Sequence, residues 1–219
     1  MAKRSTAAAQ HSEVIEDRIL TAAAKLFRDR AFATTTVREI AAAAGMLPGS
    51  LHYRYGSKEE ILIALLERGA TRAVNAIQRA ISQERDPIER LRLSLRAHLE
   101  LLVGGEDAMY VLLFDWRALP PETAAKATAI RENYESFWSG LIFEAAGTGR
   151  ARMPVDLELL KNFGIGAMSF VAQWFDPKAG RTAAQVADAF WHYLAFGLLR
   201  DDARPKDVDR RFEKLMEVT

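Results

Sequence analysis

The 219-residue sequence contains no cysteine, which excludes a disulfide framework and every catalytic or metal site that depends on a thiolate. It also lacks a signal-peptide-like start and any apolar run near the roughly 18 residues that a membrane span requires. Its four histidines are scattered, and zinc-hydrolase, nucleophile-elbow and phosphate-binding glycine motifs are missing. These absences predict a cytoplasmic protein that has no metal, cofactor or membrane partner and is not an enzyme.

Charge is nearly balanced over the whole chain, with a formal net charge of +1, but it is unevenly distributed. Residues 1–58 carry nine basic and five acidic side chains, whereas the remainder is slightly acidic. A basic N-terminal segment is typical of a surface that faces a polyanion.

Glycine and proline separate long amphipathic patterns, and no strand alternation is visible, so the sequence predicts an all-α fold. Residues 1–12 are predicted to be a frayed tail. Helix starts are predicted from N-cap signals at Thr36, Ser57, Asp86 and Thr182. The predicted helices cover residues 13–30, 37–44, 48–53, 57–83, 87–103, 107–119, 121–146, 155–175 and 182–200, with one more near 208–216.

Three short helices within the first 55 residues have the size of a helix-turn-helix. Gly49 and Ser50 are small enough to let the third helix approach bases in the major groove. His52, Tyr53 and Arg54 offer donors for phosphates or base edges.

The segment TTTVREIAAAAGMLPGSLHYRYGSKEEIL, preceded by LFRDRAFA, resembles the TetR family of bacterial repressors. The resemblance implies an N-terminal arm and helix-turn-helix DNA-binding domain at residues 1–56 and a helical ligand-binding and dimerisation domain at 57–219. It also implies that Thr36 and Lys58 contact phosphate. The sequence departs from the family pattern at Leu47, where a capping Ser or Thr is common, and at His52, which replaces a common tyrosine. The predicted DNA-binding residues are Thr36, Arg38, Pro48, Gly49, Ser50, His52, Tyr53, Arg54 and Lys58, whereas Tyr55 is expected to pack against the first helix.

A single domain of this kind makes too few contacts for specific binding, so a homodimer on a palindromic double-stranded operator is expected. The last two long helices are apolar on more than one face, and in the TetR family these helices form a four-helix bundle between subunits. The residues expected in that bundle are Phe163, Ile165, Phe170, Val186, Phe190, Tyr193, Leu194 and Leu198.

The middle helices carry many aromatic residues, which is a pattern of a core but also of a small-molecule pocket. The segment QWFDPKAGRTAAQVAD resembles TetR-family regulators of fatty-acid and sterol breakdown, some of which sense acyl-CoA. The resemblance implies an acyl-CoA effector, with Arg117, Arg131, Arg150 and Arg152 as candidate partners of its phosphates. The predicted ligand-binding residues are Tyr110, Phe114, Arg117, Tyr134, Trp138, Phe170 and Trp174.

The sequence therefore predicts a ligand-responsive transcriptional regulator, a repressor released from its operator by a small apolar ligand such as an acyl-CoA. Two alternatives remain open at this point. One is an all-α DNA-binding protein without ligand control, including a non-specific DNA-compacting protein, and the other is a helical enzyme.

Overall fold

The computed structural model describes residues 2–152 and 156–204, and this part of the chain is built from α-helices. The all-α prediction is confirmed, since the described residues hold no strand and only one isolated antiparallel bridge, Ala151 with Leu199. Single 3-10 turns lie at Asp115–Ala118, Pro177–Ala179 and Asp201–Ala203. The helices are α1 (Ala2–Arg30), α2 (Val37–Ala43), α3 (Pro48–Arg54), α4 (Lys58–Ile81), α5 (Pro87–Val103), α6 (Asp107–Phe114), α7 (Pro121–Ala146), α8 (Leu157–Trp174) and α9 (Ala183–Leu198).

The helix starts follow the predicted capping residues. The Thr36 side chain accepts from the Glu39 N–H at the start of α2, and Thr182 does the same for Gln185 at the start of α9. Asp86 caps α5 by accepting from the Ile88 N–H at 2.8 Å. These side chains satisfy backbone donors that a helix leaves open in its first turn.

Several boundaries differ from the prediction. Helix α1 begins at Ala2 rather than at residue 13, because residues 2–12 hold no glycine or proline and include four alanines, the strongest helix formers. Helix α6 ends at Phe114, and the chain continues as a 3-10 turn through Ala118. The helix predicted near 208–216 lies outside the described residues.

The chain divides into two compact units, and the divisions fall inside α4 and α7. The first unit contains the described residues up to Ala73 together with Gly105–Tyr134. In this unit α1 packs on α2 and α6, and α2 packs on α3. Its core is apolar and fully buried, with Ile19, Phe27, Ile40, Leu51, Ile61, Leu62, Leu65 and Leu66.

The second unit contains Val74–Gly104 and the described residues from Glu135 onward. Helix α5 packs against α8 and α9 through a row of buried leucines. His98 is completely buried on α5, where its ring meets the edge of Trp138 at a centroid distance of 5.5 Å. Burial lowers the pKa of His98 to about 4, because an apolar environment disfavours the imidazolium form. Across the described helices, none is long and apolar enough to cross a membrane.

Candidate nucleic-acid interface and ligand site

Helix α3 is a seven-residue helix that is held by a single buried side chain. Leu51 is fully buried, whereas Pro48, Gly49, Ser50, His52, Tyr53 and Arg54 are all exposed. Tyr53 is 93% exposed, which is unusual for an aromatic side chain in a folded protein. The helix therefore presents nearly its whole surface outward.

The turn between α2 and α3 is fixed by Gly45 and by an arginine of α1. Gly45 has a φ of +64°, a left-handed conformation that favours glycine. The Arg18 guanidinium donates to the carbonyl of Ala44 and, at 3.4 Å, to that of Gly45. No local motif marks Arg18, because its partners lie 26 and 27 residues away in the sequence.

Helix α3 is tied to α1 at its C-terminal end. The Tyr55 hydroxyl lies 3.4 Å from the Glu16 carboxylate, and Arg54 donates to the Ser12 hydroxyl at 3.2 Å. Burial, together with the Glu16 charge, raises the pKa of Tyr55 to about 12. The prediction that Tyr55 packs on the first helix is confirmed.

The start of α2 combines a closed cap with exposed neighbours. Thr36 donates to the Glu39 carboxylate from its backbone N–H and from its hydroxyl, both at 2.8 Å, and these bonds lower the pKa of Glu39. Thr36 and Arg38 are exposed. The Lys58 ammonium points inward, donating to the carbonyls of Phe32 at 2.8 Å and Thr35 at 2.9 Å.

A groove of about 700 Å³ separates the first part of α1 from α3. It is lined by residues of both helices and of the turn between α2 and α3, including His11, Arg18, Leu47, Ser50, Tyr53 and Arg54. Small, cationic and apolar groups therefore meet beside the exposed face of α3. This composition suits the edges of bases and the phosphates that border them.

Four predicted ligand residues belong to the first unit: Tyr110, Phe114, Arg117 and Tyr134. The rings of Tyr110 and Phe114 lie 4.6 Å apart on α6, and Tyr134 is buried. The indole of Trp116 has the Arg117 guanidinium 4.5 Å away and the Arg131 guanidinium 4.1 Å away.

Asp115 precedes this cationic cluster in sequence. Burial raises the pKa of Asp115 to about 6, and its Oδ2 atom has no hydrogen-bond partner. A carboxylate oxygen that is buried without a donor makes the ionised form costly, so this turn of the chain holds a polar atom without a hydrogen-bond partner.

The remaining predicted ligand residues belong to the second unit. Trp138 is buried beside His98, whereas Phe170 and Trp174 lie exposed on α8. Of the other candidate cations, Arg150 donates to the Asp86 carboxylate at 2.9 Å and lowers its pKa. Arg152 donates to the Leu199 carbonyl at 2.9 Å. Both of these arginines thus hold loops in place.

Ion pairs connect α1 and α4 with the start of α6. The Asp17 carboxylate of α1 forms ion pairs with Arg68 at 2.9 Å and with Arg72 at 3.3 Å, both on α4. Arg72 also pairs with Glu106, which precedes α6.

A second link joins α1 directly to α6. Arg28 pairs with Asp107 at 2.7 Å, and its guanidinium lies 5.4 Å from the centre of the Tyr110 ring. The sequence separations in these links, 79 residues for Arg28 and Asp107, explain why sequence analysis missed them.

Comparison with known proteins identifies both halves of the chain. Residues 19–65 match the family described as bacterial regulatory proteins of the tetR family. Residues 84–198, more than half of the chain, match the tetracyclin repressor-like C-terminal domain. The chain belongs to the TetR family.

Individual TetR-family proteins align over most of their length. The HTH-type transcriptional repressor KstR2 of Mycolicibacterium smegmatis is 27% identical over 184 residues, which cover 83% of this chain and 88% of KstR2. The crystal structure of AibR in complex with isovaleryl coenzyme A and operator DNA is 27% identical, with a TM-score of 0.74, and covers 82% of this chain and 97% of AibR. FadR of Bacillus subtilis in complex with stearoyl-CoA shares the fold at 22% identity and a TM-score of 0.70, covering 82% of this chain and 97% of FadR.

Membership of the TetR family makes this chain a DNA-binding transcription regulator that acts as a dimer, and not an enzyme. The described residues hold no group of three or more metal-ligating side chains placed to bind a metal ion. Helices α8 and α9 carry large exposed apolar side chains, including Phe163 at 72% and Tyr193 at 68% exposure. A monomer rarely exposes such a surface, which is the expected property of the family's dimer interface.

Proposed function

We propose that this protein is a cytoplasmic repressor that binds a palindromic operator as a dimer and is released from it by an acyl-CoA. The observation that carries the DNA-binding part is the exposure of α3, a helix with one buried residue in a chain of the TetR family. Small residues at its start allow close approach to base edges.

The DNA contacts are proposed to follow the predicted set. Ser50, His52, Tyr53 and Arg54 form the exposed surface of α3, with Pro48 and Gly49 at its start, and Thr36 and Arg38 are exposed at the start of α2. Lys58 completes the set, but its ammonium donates to the carbonyls of Phe32 and Thr35, so a phosphate contact requires it to leave these acceptors. Binding should weaken steeply with salt, because each phosphate contact releases counterions from the DNA. We also propose that residues 1–56 are the DNA-binding domain and that residues 57–219 are the ligand-binding and dimerisation domain.

The acyl-CoA part is supported by relatives and by the chemistry of the first unit. The crystallised AibR complex holds isovaleryl coenzyme A, and KstR2 is a repressor. Arg117 and Arg131 place two cations at one indole, which suits a phosphorylated nucleotide, while Tyr110 and Phe114 offer an apolar surface for an acyl chain. Tyr134, Trp138, Phe170 and Trp174 complete the proposed set.

Release is proposed to occur by a population shift. An effector that displaces α6 alters the ion pairs of Arg28 and Arg72. Arg28 lies on α1, which is part of the DNA-binding region, and Arg72 lies on α4, which follows that region. A ligand that favours the displaced state by about 1–3 kcal/mol changes operator affinity about 5- to 150-fold. This shift would change the distance between the two α3 helices of the dimer, which must be about 34–36 Å for binding to adjacent major grooves.

The test begins with selection of bound fragments from genomic DNA, followed by a mobility-shift assay on the selected operator and on random DNA. Acyl-CoAs of increasing chain length, free CoA and free fatty acids are then added to the protein–operator complex. We expect release by an acyl-CoA and not by its separate parts. Release by none of them supports the alternative of a DNA-binding protein without acyl-CoA control, and equal binding to random DNA contradicts the repressor itself.

A further inference from the structure

Leu47 lies at the N-cap of α3, and its side chain does not act as a cap. Its backbone is extended, with a φ of −74° and a ψ of 142°, as an N-cap requires. Its side chain has no polar atom and makes no capping hydrogen bond to the first turn of the helix. A serine, threonine or aspartate at such a position typically favours folding about fivefold, so the leucine gives up a stabilising bond.

Burial does not explain the leucine either. Its side chain is 75% exposed, and it lies at the edge of the groove between α1 and α3. The next two residues, Pro48 and Gly49, are also exposed and have no polar side-chain group. The first end of α3 is thus an exposed apolar surface, and the first polar side chain of the helix is that of Ser50.

We propose that Leu47 determines operator specificity by contacting the C5-methyl group of a thymine in each half-site. Residues at the start of a recognition helix face base edges in the major groove. The thymine methyl is the apolar group that the major groove presents at those edges, and contact with it buries the leucine that the free protein leaves in water. This inference rests on the proposed insertion of α3 into an operator.

The experiment compares thymine with deoxyuridine, which lacks only the methyl group. Each thymine of the selected operator is replaced singly, and then at both symmetry-related positions. For the wild-type protein we expect one position per half-site where the replacement weakens binding about 4-fold, and about 15-fold when both half-sites are changed. At every other thymine, replacement by deoxyuridine should weaken binding less than at this position.

Two variants assign the effect to Leu47. L47S should bind thymine and deoxyuridine operators equally at that position, and its thermal unfolding midpoint should rise because the serine restores the cap. L47M keeps an apolar side chain of similar volume and should retain the preference for thymine. If the unfolding midpoint of L47S rises as expected, loss of discrimination in this variant is not caused by poor folding.

Three outcomes overturn the inference. The wild-type protein shows no deoxyuridine-sensitive thymine, or L47S keeps the same sensitivity, or L47S binds every operator more tightly without a change at one position. The last outcome would mean that Leu47 is only a poor cap. Failure of the wild-type protein to select any operator is a different result, and it contradicts the proposed function rather than the role of Leu47.

Discussion

Gly69 of α4 lies close to the backbone of α6 at Ala108, and replacing it by alanine is a direct test of that contact. A Cβ atom at Gly69 would lie 3.0 Å from the carbonyl carbon of Ala108, closer still to its oxygen, and 3.2 Å from the Cβ of Leu112. The nearest of these atoms is backbone, which cannot rotate away. Gly69→Ala should therefore push α4 and α6 apart.

Two opposing contributions set the size of the effect. Alanine is favoured over glycine inside a helix by about 1 kcal/mol. Overpacking against a fixed neighbour destabilises by about 1–3 kcal/mol. Gly140 of α7 is the matched control, since a Cβ there would meet nothing within 4 Å. Gly140→Ala should gain the helix contribution alone, so the difference between the two variants measures the steric one.

Thermal unfolding of both variants at equal protein concentration provides the comparison. We expect Gly69→Ala to unfold below Gly140→Ala by about 2–4 °C for each kcal/mol of steric destabilisation. Operator affinity should also change in Gly69→Ala, because α4 directly follows the DNA-binding region and its Arg68 and Arg72 bind Asp17 of α1. Equal gains in stability for both variants would refute the close packing of α4 on α6.

Three further predictions concern charge, coupling and assembly. The free energy of unfolding should fall by about 3 kcal/mol between pH 6.5 and 4, because His98 takes up a proton at a higher pH in the unfolded chain than in the folded one. Urea titrations at several pH values should show a weaker pH dependence for His98→Gln. Arg28→Met removes the ion pair with Asp107, so it should reduce effector-induced release while leaving operator binding within about threefold of wild type. Lys25→Met loses only an exposed ion pair and should not reduce release. An equal effect of both variants would contradict the coupling. Phe163→Glu should produce monomers by analytical ultracentrifugation, while Val14→Glu, also at an exposed apolar position, should remain dimeric.

Local signals in the sequence were sufficient where the structure depends on neighbours a few residues apart. The caps at Thr36, Asp86 and Thr182 were predicted because each needs a polar residue and a backbone donor within one turn. Ser57 also behaves as predicted, since its hydroxyl accepts from the Glu60 N–H at 3.2 Å. The Glu60 carboxylate, however, accepts from the Gly56 N–H at 2.8 Å rather than from the cap residue.

The parts that sequence analysis missed depend on tertiary contact or on propensity without a pattern. The first turns of α1 lack an apolar stripe, so an amphipathicity criterion rejects them although alanine favours the helix. The leucine at position 47 could be recognised as a departure from the family pattern, but its exposure and its role could not be predicted before its surroundings were known. Asp17 has ordinary surface spacing on α1, and only the fold brings Arg68 and Arg72 to it.

The same contacts indicate why the DNA-binding helix can be so short. Two turns of helix are unstable in isolation, so α3 must be held by the rest of its unit. The buried side chain of Leu51 packs α3 into the core, Arg18 binds the turn that precedes α3, and Tyr55 binds the end of α3 to α1. Because these residues provide support, an exposed side chain such as that of Tyr53 can contact DNA without holding the helix in place. Substitutions at Tyr53 or Leu47 should therefore change which sequence is bound, whereas substitutions at Arg18 should weaken binding to every sequence.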